Sequence, residues 1–178
     1  QATLPLAERG YEIVCIELGA NMAAVAQGKL AGFASVRIVV SAFEDWPLPT
    51  EPFDVVFAAT AFHWLDPAVR VVKAADALRM GGTLATVSTH HVAGGDTEFF
   101  AEAQSCYERW DPTTPIGLRL QPATAIPSDS EELDRSGRFG PAIFRRYEWD
   151  LSYSAATYLE TLLTYSGHRD LAPDVRSN

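Results

Sequence analysis

The chain has 178 residues, which suits one domain with its own core and leaves no room for two full-sized domains. Apolar residues make up 47% and charged residues 21%, so the composition excludes disordered and fibrous proteins. The net charge of −9 repels phosphate backbones and anionic lipid, so we predict neither nucleic acid nor membrane as a partner. Cys15 and Cys106 lack metal-ligand spacing and favour a reducing, cytoplasmic location.

Hydrophobic patterning alternates between helix and strand over the first half of the chain. Short apolar runs rich in β-formers predict four strands, at 11–17, 36–40, 53–58 and 83–88. Helical spacing predicts helices over 2–9 and 21–30, and a third that begins at Asp66-Pro67 and ends at Met80-Gly81-Gly82. Strands separated by helical or loop crossovers predict an α/β fold with a parallel sheet.

The composition changes after Thr89. Residues 90–141 contain a predicted helix over 97–110 and a stretch rich in proline, glycine and serine, so we interpret them as an insertion over one end of the sheet. Residues 143–150 alternate between two faces and predict a strand near the sheet edge. Ser154 is expected to begin a last helix, which Gly167 would end.

Ligands of open parallel sheets bind outside the carboxyl ends of the strands. The first predicted strand ends in Glu17, the second leads into residues 41–46, and the third ends in residues 58–64. An acidic residue such as Glu17 at a strand end can accept hydrogen bonds from both hydroxyl groups of a ribose. Taken alone, Glu17 is equally well explained as a solvated loop residue.

Three motifs follow in a fixed order: Glu17-Leu18-Gly19, then Phe-Glu-Asp-Trp-Pro-Leu-Pro at 43–49, then Phe-Asp-Val-Val-Phe-Ala-Ala-Thr-Ala-Phe-His-Trp at 53–64. Leu-Arg-Met-Gly-Gly-Thr-Leu follows at 78–84. This order resembles class I S-adenosylmethionine-dependent methyltransferases, well over residues 1–88 and more loosely over 147–169. The resemblance implies a Rossmann-like open parallel sheet with helices on both faces.

The resemblance also implies which residues bind S-adenosylmethionine. Glu17 would bind the ribose diol, and Leu18 would lie against the adenine. Phe43 would offer its backbone N–H to the adenine ring. Many relatives carry an aspartate at the position of Ala42, which accepts a hydrogen bond from the adenine amino group, and the alanine side chain has no acceptor. Ala59 would touch the methionine part of the cofactor.

The same resemblance implies an acceptor pocket lined by His63 and Trp64 and roofed by Tyr165 and His168. His63 is the best candidate for a catalytic base, because histidine takes up a proton near neutral pH. In the alternative interpretation, His63 and Trp64 cap the following helix and pack the lid. His90-His91 has no completing cysteine or carboxylate, so we predict no metal site.

The sequence departs from the family at both ends. No glycine-rich loop precedes residues 1–9, and no closing antiparallel strand is found. We therefore expect this sequence to be a portion of a longer chain, and the family's central first strand and last strand to be absent from it. We therefore predict one partial domain over 1–178. It would consist of a cofactor-binding half at 1–89, an insertion or cap at 90–141, and an edge strand with the last helix at 142–178.

The predicted function is methyl transfer from S-adenosylmethionine to an unidentified small-molecule acceptor, catalysed mainly by positioning. One alternative is a non-catalytic, methyltransferase-like binding protein. A less favoured one is an NAD(P)-dependent oxidoreductase, since no Tyr-x-x-x-Lys pair occurs. Neither the acceptor nor the oligomeric state follows from the sequence.

Overall fold

A computed structural model describes residues 2–111 and 113–176, which fall into two compact units. The first unit consists of the described residues up to Thr89 together with Asp129–Ile143. The second consists of His90–Ser128 and the described residues from Phe144 onward. The division after Thr89 falls where the sequence analysis ends the first half. The predicted three-part arrangement itself stays a prediction.

Helices and strands follow one another in the predicted α/β order. In chain order they are α1 (Thr3–Ala7), β1 (Ile13–Glu17), α2 (Ala20–Leu30), β2 (Val36–Val40), β3 (Phe53–Ala59), α3 (Arg70–Ala77), β4 (Leu78–Val87), α4 (Thr97–Trp110), α5 (Glu131–Ser136), α6 (Ala155–Leu162), α7 (Ser166–Asp170) and α8 (Pro173–Arg176). In the part of the chain that the structure describes, no helix combines the length and apolarity needed to cross a membrane.

The strands pair in parallel, as predicted, but in two separate sheets. β1 pairs with β2 from Ile13↔Val36 to Glu17↔Val40. β3 pairs with β4, with a regular register from Val55↔Thr83 onward. The strands of the described residues thus show parallel α/β pairing. The single open sheet with a central strand between β1 and β3 stays a prediction.

Helix α3 supplies much of the buried surface of the first unit. Val71, Ala74 and Ala77 are nearly inaccessible to solvent and lie on one face at helical spacing. Val72, the neighbour of Val71 in the chain, is exposed instead. The helix begins at Arg70, later than predicted, because residues 66–69 form a turn in which the carbonyl of Asp66 accepts from two backbone N–H groups.

The start of β4 contains a bulge that the sequence analysis does not predict. Two steps along β3, from Phe53 to Val55, match five steps along β4, from Leu78 to Thr83. Gly81 adopts a positive φ of 75° within this bulge, a conformation that favours glycine. A Cβ at Gly82 would lie 3.0 Å from the Arg79 carbonyl oxygen and 3.1 Å from that of Asp54.

The predicted edge strand at 143–150 is wrong. Residues 141–154 contain no helix or strand, and the described backbone shows no hydrogen bond from 143–150 to another strand. Ile143, Tyr147 and Trp149 are each more than 60% exposed. A strand is stabilised by its ladder, so β-forming side chains alone do not make one without a neighbour.

The last predicted helix is only partly correct. Ser154 begins α6 by accepting the backbone N–H of Thr157 at 3.2 Å, as predicted. However, α6 ends at Leu162, where Thr164 and Tyr165 donate to carbonyls three residues earlier. These tighter bonds close the helix before Gly167, which lies inside α7 rather than at a helix end.

We predict opposite effects from two glycine-to-alanine substitutions on the free energy of unfolding. Gly82→Ala should lower it by about 1–3 kcal/mol, because the new methyl group meets two backbone oxygens that are held by the bulge. Gly28→Ala should raise it by about 0.5–1 kcal/mol, because Gly28 lies inside α2 and the added Cβ would meet nothing within 4 Å beyond its own stretch of helix. Urea denaturation of both variants measures this. Equal shifts in the same direction would contradict the described bulge.

Candidate functional site

The carboxyl ends of β1 and β2 lie side by side. Glu17 is opposite Val40, and the backbone N–H of Ser41 donates to the Glu17 carbonyl at 3.1 Å, which extends the ladder by one step. The segments Glu17-Leu18-Gly19 and Ser41-Ala42-Phe43 therefore leave the sheet from neighbouring positions. This is the edge at which parallel α/β sheets bind ligands.

The Glu17 carboxylate is half-buried and oriented by its own turn. Its Oε1 accepts the backbone N–H of Gly19 at 2.8 Å. A Cβ on residue 19 would lie 3.3 Å from the same oxygen, so glycine permits this close approach. Within residues 2–111 and 113–176, Oε2 receives no hydrogen bond from any side chain or backbone group. A carboxylate has about four acceptor positions, so Glu17 retains capacity for two hydroxyl donors.

The turn after β2 has both a donor and an apolar surface. In the described residues the backbone N–H of Phe43 makes no hydrogen bond. The Ala42 carbonyl accepts from the Trp46 backbone and from the Ser41 hydroxyl, but its methyl side chain offers no acceptor. Leu18 is 75% exposed on the neighbouring segment. The two segments therefore offer a carboxylate acceptor and a backbone donor, and residue 42 offers no side-chain acceptor.

Glu44 joins the loop after β2 to the segment after β3. Its Oε1 accepts the backbone N–H of Asp66 at 2.8 Å. Its carbonyl accepts from the Lys73 ammonium group at 2.6 Å, and that group also lies 5.6 Å from the centre of the Phe43 ring. The hydrogen bond from Asp66 lowers the pKa of Glu44 below its ordinary value.

The carboxyl end of β3 contains a strained residue. Ala59 is opposite Val87, and the Thr60 backbone N–H donates to the Val87 carbonyl at 2.7 Å. Thr60 has a φ of 52°, which is unusual for a β-branched residue and places it in the left-handed region. Such strain concentrates at functional sites, where the surrounding structure maintains it.

His63 and Trp64 lie on a short 3₁₀ turn, Phe62–Trp64, that follows this strained residue. Their ring centroids are 4.9 Å apart, and Trp64 is 77% exposed. In the described part of the chain the His63 imidazole makes no hydrogen bond. Both rings are therefore accessible to a ligand that binds to the first unit, and neither is part of a hydrophobic core.

Arg70 holds the turn that bears these two rings. Its Nη1 donates to the carbonyls of Phe62 and Leu65 at 3.3 and 3.4 Å, and its guanidinium lies 5.3 Å from the Phe62 ring centre. Its other two nitrogens, Nε and Nη2, donate to both oxygens of Glu132 at 2.8 and 2.7 Å. This pair of bonds raises the pKa of Arg70 above its ordinary value.

Tyr165 and His168 belong to the second unit and lie close to each other. Their ring centroids are 6.0 Å apart, and Tyr107 shares a 2.7 Å hydrogen bond with the Nε2 atom of His168. Burial raises the pKa of the Tyr107 hydroxyl. Tyr165 also approaches His91 at 3.3 Å. A common pocket of these residues with His63 and Trp64 stays a prediction.

The sequence analysis missed three residues that organise the first unit, namely Glu44, Arg70 and Glu132. It also missed helix α5, whose signal was present. Acidic residues fill its first turn, and Gly137 follows it in the left-handed conformation typical of a helix end. A cavity of about 130 Å³ lies beside it, lined by Phe62, Thr86, Asp129, Ser130, Glu132 and Leu133.

The first unit presents a carboxylate, an available backbone donor and exposed apolar or aromatic groups at strand ends. Over residues 2–111 and 113–176, no three His, Cys, Asp or Glu side chains are grouped to hold a metal ion.

Comparisons with known proteins give matches that each cover about half of this chain. Residues 1–86 match the family described as "Methyltransferase domain". The predicted resemblance is confirmed over these residues. An uncharacterized methyltransferase of Mycobacterium bovis is 35% identical over 85 residues, which cover 48% of this chain and 34% of that protein. Proteins of the same description from two strains of Mycobacterium tuberculosis match equally well. The chain thus spans about a third of the length of these methyltransferase relatives.

We predict that Glu44 stabilises the site in a pH-dependent way. Its pKa is lowered in the folded state, so its contribution is present above about pH 4.5 and is lost as the pH falls through the lowered value. Glu44→Gln should therefore lower the urea midpoint at pH 7 and have a vanishing effect at acidic pH. Glu51→Gln, a change of an exposed residue in the same loop, is the control. A constant difference between wild type and Glu44→Gln at all pH values would contradict this role.

Proposed function

We propose that this chain contributes the cofactor-binding part of an S-adenosylmethionine-dependent methyltransferase that acts on a small molecule. The observation that carries the proposal is that the Glu17 carboxylate, at the end of β1, and the available Phe43 N–H, in the turn after β2, follow strand ends that are paired. The match of residues 1–86 to a methyltransferase family supports it.

The adenosine part of the cofactor would be held by the paired strand ends. Glu17 would accept hydrogen bonds from the two ribose hydroxyls, with its orientation set by Gly19. Leu18 would cover one face of the adenine, and the Phe43 N–H would donate to a ring nitrogen. Ala42 supplies no acceptor for the adenine amino group, so one hydrogen bond would be absent. Ala59 would contact the methionine part.

When bound, S-adenosylmethionine supplies a methyl group that is already activated by a positively charged sulfur. The protein then contributes chiefly by orienting the acceptor and excluding water. The His63 imidazole is accessible and can accept a proton from an acceptor hydroxyl or amine. Trp64 offers an exposed apolar surface next to it.

The acceptor is proposed to be a small molecule rather than a nucleic acid or a membrane component. The net charge of −9 supports this choice, because it disfavours polyanions. Tyr165 and His168 are proposed to contribute to acceptor binding through their aromatic rings and hydrogen-bonding groups. A cytoplasmic location is proposed from the two cysteines, neither of which is in a disulfide.

We expect Glu17→Ala to weaken the binding of S-adenosylhomocysteine, the demethylated product, by roughly 10- to 150-fold. The substitution removes charge-assisted hydrogen bonds that contribute about 1.5–3 kcal/mol. Isothermal titration calorimetry on the full chain measures the change. Glu12→Ala, a change of an exposed glutamate just before β1, is the matched control and should leave the affinity unchanged.

Three results would contradict parts of this proposal. Unchanged affinity in Glu17→Ala would remove Glu17 from the site. Binding of NAD⁺ in place of the methionine-derived nucleosides would favour an oxidoreductase. A full chain that binds none of these cofactors would favour a non-catalytic binding role.

Ala42→Asp should tighten the binding of S-adenosylhomocysteine, whereas Glu17→Ala should weaken it. A carboxylate at this position restores an acceptor for the adenine amino group, and one hydrogen bond of about 0.5–1.5 kcal/mol corresponds to roughly 2- to 13-fold. Ala42→Leu adds bulk without an acceptor and serves as the control. Tighter binding in both variants would show that apolar contact, rather than a hydrogen bond, is responsible.

A further inference from the structure

The guanidinium of Arg70 connects the turn that carries the His63 and Trp64 rings to Glu132, which is distant in sequence but belongs to the same unit. Arg70 bonds to the carbonyls of Phe62 and Leu65, the residues that flank His63 and Trp64. The turn's own backbone contributes only two hydrogen bonds, from Trp64 to Ala61 and from Leu65 to Phe62. Arg70 therefore doubles the number of bonds that define the turn in the described structure.

Glu132 restricts the orientation of this guanidinium. The bond pair between them is bidentate, with both carboxylate oxygens engaged, and the Arg70 side chain is only 16% exposed. A planar guanidinium held by a bidentate carboxylate has little rotational freedom, so its remaining N–H groups point in a fixed direction. That direction is toward the two carbonyls of the turn.

A second ion pair, besides that of Arg70 and Glu132, links α3 to the region of α5. Arg138, just after α5, bonds to Asp76 on α3. Both its side chain and that of Asp76 are 40% or more exposed, and Arg138 makes no hydrogen bond to residues 62–65. The two pairs thus link the same parts of the chain, but Arg70 also reaches the turn.

We propose that Arg70 is a positioning residue, fixed by Glu132, which holds the 62–65 turn so that His63 and Trp64 keep their place at the end of β3. The relevance of this placement to acceptor binding rests on the proposed function. The placement itself does not, and it is measurable without cofactor or acceptor.

The experiment uses the full chain labelled with 5-fluorotryptophan and observed by ¹⁹F NMR. The four tryptophans give four resonances, and Trp64→Phe and Trp46→Phe assign the two that matter. Trp46 is buried and reports on the fold, whereas Trp64 is exposed and reports on the turn. Arg70→Gln should shift or broaden the Trp64 resonance and leave that of Trp46 in place.

Two further variants distinguish positioning of the turn by Arg70 from attachment of α5 to α3. Glu132→Gln should shift the Trp64 resonance in the same direction by a smaller amount, because it loosens the guanidinium without removing it. Arg138→Gln should leave the Trp64 resonance unchanged, although it breaks an ion pair between the same elements. If Arg70→Gln does not fold, Glu132→Gln decides the matter alone.

Two results would overturn the proposal. One is an unchanged Trp64 resonance in the folded Arg70→Gln and Glu132→Gln variants. The other is a shift of the Trp64 resonance in Arg138→Gln that equals the shift in Arg70→Gln. It would mean that packing of α5 against α3 is enough to position the turn. Failure of the proposed function would be seen separately, as absence of S-adenosylhomocysteine binding by the unsubstituted chain.

Discussion

Parallel pairing in register is the constraint on which the candidate site depends. The alignment of Glu17 with Val40 makes a carboxylate and the turn at 41–43 leave the sheet together. The alignment of Ala59 with Val87 likewise places the ends of β3 and β4 side by side, and the strained Thr60 directly follows β3. In each case a ladder of main-chain bonds places side chains that are far apart in sequence. A slip of one residue would turn every one of them to the opposite face.

Helix α3 connects these strand ends through two cations three residues apart. Lys73 reaches the Glu44 carbonyl in the loop after β2, and Arg70 reaches the turn after β3. Residues at this spacing share a helix face, while Val71, Ala74 and Ala77 bury another. Both cations recognise backbone carbonyls, so they hold the loops by their main chain. The loop side chains, such as those of His63 and Trp64, are thereby left accessible.

Elements with local signals were predictable, and those that depend on partners were not. Strand β2 and helix α4 have the predicted bounds, because β-branched residues on either side of Arg37 and an Asp96 cap define them locally. Residues 143–150 have β-forming side chains but no neighbouring strand, so the pattern alone was misleading. The bulge at Gly81-Gly82 was also missed, since it depends on how β4 meets β3 rather than on either sequence alone.

The site shows the same division. Glu17, Phe43 and His63 were predicted from the strand ends they follow and from the family resemblance, and their ligand contacts stay predictions. Arg70 was not found, because its partners are two carbonyls, which every residue has, and a carboxylate 62 positions away in the chain. A contact with the main chain leaves no mark on the sequence of the segment it holds. The residues that position a site are therefore harder to predict than those expected to touch a ligand, although the geometry of the latter depends on them.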